Sequence, residues 1–257
     1  MAVEASCKWI AVLSYLILSY TQRGYGTLLH TQAHYGRVLL EPKMTDCDEN
    51  NTNLVNTMPD TTQSAPEHPA TQAYLAAWRA SDARDNVPQI SCANATFLCD
   101  LLRQNRPAQV LEIGTARGMS AALMAQTLAA WGGMLTTIEI SVPTQAIAQA
   151  HFTALGLGHI RSLCGDARAV LMSEAYKSSR FGLIFIDAHK KQSHVFYALA
   201  CARLAAGGVI VVDDAWGQRA RMQPLFELLA QSKQAYSLHF IEERGGDFDA
   251  TLVIRHQ

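Results

Sequence analysis

The feature that most constrains this chain is a regular alternation between residues 109 and 213, in which short apolar runs lead into a glycine or an acid and are followed by helical stretches. The runs fall at 109–113, 135–140, 160–164, 183–187 and 209–213. Apolar runs separated by helices are what a parallel sheet needs, because each parallel neighbour requires a crossover and the crossovers cover both faces. Upstream, residues 73–79 predict a short helix. Ser91 predicts the N-cap of a second helix, whose Phe97, Leu98, Leu101 and Leu102 share a face. Downstream, Met222, Leu225, Phe226 and Leu229 carry the i, i+3, i+4, i+7 spacing of a last helix, and residues 236–241 and 250–254 close as an antiparallel edge pair. The expected fold is α/β and doubly wound: a seven-stranded, mostly parallel sheet with an antiparallel C-terminal strand and helices on both faces. Ligands of such sheets bind at the carboxyl ends of the strands, so the strand ends hold the candidate functional residues.

Composition narrows the function classes. Charged residues make up 17% of the 257, against about 25% in an average soluble domain. With 21 basic and 22 acidic residues the formal charge is −1, which leaves no electrostatic footprint for nucleic acid or an anionic membrane. A small-molecule substrate fits better. The six cysteines form no Cys-x-x-Cys pair and fall mostly in apolar stretches, as reduced thiols of a cytoplasmic protein do. Residues 1–70 read as an N-terminal extension ahead of a catalytic domain at 71–257. Within the extension, the 12-residue apolar run 9–20 is long enough for a signal-peptide core and short for a membrane span, so no stable span is expected. Secretion or membrane association through that run is the alternative to a cytoplasmic location. Residues 41–70, rich in Asn, Thr, Asp and Pro, predict a disordered linker.

The first strand runs into Val110-Leu111-Glu112-Ile113-Gly114-Thr115-Ala116-Arg117-Gly118-Met119-Ser120. Glycines at 114 and 118 permit a sharp turn and close approach to a ligand, and the following helix offers its free N–H groups. A dinucleotide site would carry Gly-x-Gly-x-x-Gly; here the spacing is Gly-x-x-x-Gly, with Glu112 placed to accept from an ammonium group. Glu139, at the second strand end, is a candidate for bidentate binding of ribose hydroxyls, 27 residues beyond Glu112. Asp166, after the third strand, is either an acceptor for an adenine amino group or a helix N-cap. Asp187 ends the fourth strand, and Asp213 and Asp214 end the fifth. Three converging carboxylates repel unless a hard cation such as Mg²⁺ joins them. Lys190, beside them, could take a proton from a substrate hydroxyl.

From about residue 89 to the C-terminus the chain resembles the cation-dependent O-methyltransferases, the group containing catechol and caffeoyl-CoA O-methyltransferases. The resemblance rests, in order, on VLEIGTARGMSAALMA at 110–125, Glu139, FIDAHK at 185–190, GGVIVVDDAW at 207–216 and GGDFDATLVIR at 245–255. It implies a Rossmann-like fold, S-adenosyl-L-methionine as methyl donor and a divalent cation. Carried over by position, it puts the cofactor loop on Glu112, Gly114, Gly118 and Ser120, the ribose acid on Glu139, the metal ligands on Asp187, Asp213 and Asp214, and the catalytic lysine on Lys190. The family usually has Asn where Asp214 stands; His189 replaces an acidic or aromatic residue, and Ser193 replaces a frequent tyrosine. His189 is therefore a candidate cofactor contact, metal ligand or orienting partner. The expected reaction is displacement at the sulfonium methyl by a hydroxyl of a small ortho-dihydroxy aromatic, in a chain that, like many relatives, could form a homodimer. A tRNA-nucleotide methyltransferase of the same family and a nicotinamide-dependent oxidoreductase are the alternatives.

Overall fold

Two helices precede the sheet, α1 (Pro69–Arg84) and α2 (Cys92–Asn105), in a computed structural model that describes residues 69–242 and 248–255. The side chain of Ser91 accepts from the amide of Asn94 at 3.1 Å, the expected N-cap; α2 stops where Arg106 turns left-handed at φ 42° and donates its amide to Leu102. Helix α1 has 16 residues and is longer than the 73–79 segment its apolar residues suggest. The reason is that it is held by polar anchors as much as by apolar ones, above all by the buried Asp82.

The rest follows the predicted alternation: β1 (Gln109–Ile113), α3 (Met119–Ala129), β2 (Met134–Glu139), α4 (Val142–Ala154), β3 (Ile160–Cys164), α5 (Ala167–Met172), β4 (Phe181–Ile186), a 3₁₀ turn (Lys190–Gln192), α6 (Ser193–Cys201), β5 (Leu204–Val212), α7 (Gln223–Gln231), β6 (Tyr236–Glu242) and β7 (Phe248–Arg255). The strands form one sheet in the order β3-β2-β1-β4-β5-β7-β6, parallel through β5 and antiparallel for the last two pairings. The expected fold class is what is observed. β5 begins five residues earlier than its apolar run, because its pairing with β4 slips between Phe181 and Leu183 and absorbs the small residues around Gly207 and Gly208.

Side chains alternate across each strand, so the sheet has two cores. Val110, Leu135 and Phe185 pack with Leu98, Leu102, Met124 and Leu128 on one face. Leu111, Ile138 and Ile184 pack with Leu171, Tyr197 and Leu225 on the other. The chain moves outward from β1 to β3 and then returns to place β4 beside β1, which opens a crevice at that switch point. Ile113 lies opposite Ile138 and Ile186, and Ile186 opposite Val212. The next residues, Gly114, Glu139, Asp187 and Asp213, therefore form a row along one edge of the sheet.

Among the described residues no helix is long and apolar enough to cross a membrane. The apolar run 9–20 lies outside the described residues, as does the linker expected at 41–70 apart from Pro69 and Ala70, which open α1. Among the described residues Cys92, Cys99, Cys164 and Cys201 are not joined in disulfides.

Candidate active site

The loop after β1 is shaped by its neighbours. Gly114 has φ +100°, and a Cβ there would stand 2.1 Å from the carbonyl oxygen of Asp187. Gly118 has φ +94°, and a Cβ would meet the Phe152 ring at 2.7 Å and Ala148 at 3.0 Å. Each glycine is required by packing, Gly114 against the end of β4 and Gly118 against α4. Between them Ala116 is left-handed at φ 46°, a conformation secured by its amide, which donates to Glu139 Oε2 at 2.9 Å.

Glu112 is fully buried beneath this loop, and the hydroxyls of Ser120 and Thr137 donate to its two oxygens. Burial pushes its carboxyl up to about 7, with the Asp187 and Glu139 charges adding to the effect and the two hydroxyl donors opposing it. Thr115 joins the network through a 2.5 Å contact with Thr137. Glu112 and Ser120 thus brace the loop from below. Glu139 is 9% exposed, and its second oxygen accepts from the amide of Ser141 at 3.0 Å. Asp166 is the N-cap of α5 and is clasped by Arg168, whose guanidinium holds its carboxyl below the ordinary range. His189 is exposed at the start of the 3₁₀ turn.

At the ends of β4 and β5 the ammonium of Lys190 lies 2.6 Å from Asp187 Oδ1, 2.8 Å from Asp214 Oδ2 and 3.4 Å from the Asp213 carbonyl. Burial disfavours its charge, but the Asp187 and Asp214 carboxylates outweigh burial and hold it above the ordinary lysine range. Burial likewise works to raise Asp214, and Lys190 more than reverses that. Asp214 is left-handed at φ 57°, a region Asp and Asn tolerate better than most residues. The Asp213 carboxylate faces away, accepting from Asn94 Nδ2 at 3.2 Å and Thr251 Oγ1 at 3.4 Å. Burial, together with the charges of Asp187 and Asp214, pushes it up to about 7.

The donor chemistry suits a hard divalent cation: Asp187 and Asp214 face a single ammonium while the Asp213 carboxylate is turned away, leaving negative charge in excess. As folded, Lys190 partly offsets the repulsion that a metal was expected to relieve, and among the described residues no three ligating side chains converge. A cation would need Lys190 to withdraw and Asp213 to turn.

A cavity of about 140 Å³ runs between these acids and the glycine loop, with Asp82, Gln89, Ile90 and Asn94 on its remaining side. A larger cavity of about 620 Å³ lies between α4 and β3, but it is lined by Gln149, Phe152, Thr153, Leu157, Ile160 and Ser162, with no titratable side chain. The smaller cavity is the one with the chemistry. Asn94, Thr251 and Asp82 were not among the sequence-derived candidates. Asn94 carried a signal, since it sits on the apolar stripe of α2 with Leu98, Leu101 and Leu102, and a polar residue at a core position needs a partner.

The profile of the O-methyltransferase family matches residues 63–223. The chain belongs to that family. A catechol O-methyltransferase of Mycobacterium tuberculosis and a relative from Mycolicibacterium vanbaalenii are each 32% identical over 145 residues, covering 55% and 56% of this chain. The matches span 64% and 63% of those relatives' own lengths. Among solved structures, the Bacillus cereus O-methyltransferase in complex with SAH has a TM-score of 0.65 at 23% identity, covering 75% of this chain and 93% of that one. TomG from Streptomyces achromogenes, in complex with SAM, has a TM-score of 0.60 at 23% identity, covering 74% and 91%. Both share the fold described above.

Proposed function

We propose that this O-methyltransferase-family chain transfers the methyl group of S-adenosylmethionine to a hydroxyl of a small ortho-dihydroxy aromatic, with a divalent cation held by Asp187, Asp213 and Asp214. The observation that carries the reading is one row of strand ends with two halves: a braced glycine loop beside Glu139, and a lysine among three aspartates. The cavity beside the loop suits the amino-acid end of the donor. Each Glu139 oxygen already accepts one amide and keeps a lone pair for a ribose hydroxyl. Ile140, 71% exposed just beyond it, offers an apolar face to the adenine, and Asp166 after β3 and His189 after β4 are the further candidate donor contacts. On the acceptor side Trp216 and Phe240, 47% and 46% exposed with ring centroids 5.1 Å apart, form an apolar wall. Asp249 steadies it by accepting from the amides of Trp216 and Gly217.

The chain's own work is orientation and proton handling. The loop and Glu139 hold the donor so that its methyl faces the acid cluster. The acceptor oxygen forms its bond to carbon as the sulfur–carbon bond breaks, its electron pair going to sulfur, and the hydroxyl proton passes to Lys190 Nζ. Lys190 is an ammonium as folded, so it can accept that proton only after leaving its carboxylate partners and releasing its own proton to solvent. A bound cation would supply the acidity of the acceptor hydroxyl and occupy those carboxylates. Calorimetry on the full chain with Mg²⁺ tests the donor: micromolar binding of S-adenosylmethionine and none of NADH is expected. No donor binding, or selective NADH binding, overturns the reading. Mass detection of a methylated ortho-diphenol, lost on chelation, tests the acceptor and cation; full turnover in chelator removes the cation from the proposal.

A further inference from the structure

Helix α1 reaches the lining of the cavity through Asp82 and is fastened to two of its walls. Arg79 Nη1 donates to the carbonyl of Ile90 at 2.8 Å, so α1 grips the segment that forms one wall. Asp82, 2% exposed, accepts on Oδ2 from Gln89 of that wall and from Trp78 Nε1 at 2.9 Å. On Oδ1 it accepts from Arg117 Nη1 of the glycine loop at 2.7 Å, and the same nitrogen reaches Asp85 at 3.0 Å. Further out, Trp78 stacks on His151 of α4 with centroids 3.7 Å apart, and Tyr74 reaches His151 Nδ1 at 2.9 Å. The two walls of the cavity therefore share one carboxylate. The loop is tied at both ends of a two-residue step, since Ala116 bonds to Glu139 and Arg117 bonds to Asp82.

We propose that Asp82 is a positioning residue for the methyl donor: it latches α1 across the mouth of the cavity, holding Gln89 and Arg117 so that the loop between them and Glu139 is set before the donor arrives. This rests on the donor assignment made above. A site organised in advance loses less freedom on binding, so the latch should act on donor affinity far more than on the chemical step. Asp82 is deeply buried, whereas the side chain of Arg117 is 27% exposed, which makes Arg117 the safer position to alter first.

The test is calorimetric binding of S-adenosylhomocysteine to the full-length chain and to its Arg117→Gln, Asp82→Asn and doubly substituted forms, with thermal melts alongside. Arg117→Gln is expected to raise Kd about tenfold, and kcat/KM for the donor to fall by a similar factor while kcat falls less than twofold. The double form should bind no more weakly than the weaker single form, because both changes break one bridge. Trp78→Phe removes a hydrogen bond to Asp82 without touching either wall; it should lower the melting temperature and leave Kd within twofold. Binding by Arg117→Gln within twofold of the natural chain overturns the latch, as does an equal loss in Trp78→Phe or a double form whose loss is the product of the two singles. A natural chain that does not bind S-adenosylhomocysteine overturns the donor assignment and the latch with it.

Discussion

Replacing Glu112 with glutamine changes the charge of the most deeply buried acid near the site and little else. In the fold this carboxyl ionises at about 7, against 4.5 as an ordinary side chain. Between those values the folded form keeps a proton that the unfolded chain has released. The stability it contributes is therefore full below pH 4.5 and is lost as pH rises through 7. At about 1.4 kcal/mol for each pH unit, the interval corresponds to roughly 3.5 kcal/mol. Glu112→Gln removes this dependence and keeps the side chain's shape, provided the hydroxyl of Ser120 or Thr137 reverses to accept from the new amide. Urea unfolding of both forms at pH 5, 6, 7 and 8 measures the effect. The natural chain should lose about 2.5 kcal/mol more than the variant across that range, part of the interval lying below pH 5, so that the variant gains relative stability at high pH. Asp213 also titrates near 7, but it is present in both forms and cancels in the difference. Parallel pH profiles would refute the argument, because they would mean that Glu112 ionises in the fold as it does in water.

Other outcomes follow from the same geometry. Lys190→Ala should lower turnover by about 10²- to 10⁴-fold while leaving donor Kd within a few-fold, as steady-state kinetics and calorimetry can read. Gly118→Ala should cost about 2–4 kcal/mol in chemical unfolding, since the left-handed backbone and the 2.7 Å approach to Phe152 both oppose a methyl group; Phe152→Leu in the same chain should recover part of it. Asp187→Ala should abolish any response of turnover to added Mg²⁺ together with most activity, and a variant still stimulated by the ion would remove Asp187 from the ligand set.

Strands β1 and β3 were legible because each short run leads into a glycine that turns the chain: 109–113 and 160–164 coincide with β1 and β3. The early start of β5 was hidden by small residues that reach the sheet through a slip in register. Helix α1 was only half visible, since Trp78 and Asp82 matter through partners on other elements, and one sequence cannot show that Arg117 will arrive beside Asp82. Within the site, the row from Gly114 to Asp214 could be anticipated because strand ends are places that topology determines. The direction of each side chain could not: Asp213 turns to Asn94 and Thr251, while Asp214, the next residue, turns to Lys190. The pairing of Lys190 with two acids was likewise out of reach, and it holds the lysine above its ordinary range in spite of burial.

The left-handed backbone at Asp214 separates two properties that are usually linked. Few side chains accept φ 57° readily, and among them Asp and Asn have nearly the same volume and differ by one unit of charge. Exchanging one for the other would reset the electrostatic potential of the cleft without asking any helix or strand to move. A lineage carrying this fold can therefore adjust how strongly its cleft attracts cations through a substitution invisible to the scaffold, and an engineer can do the same.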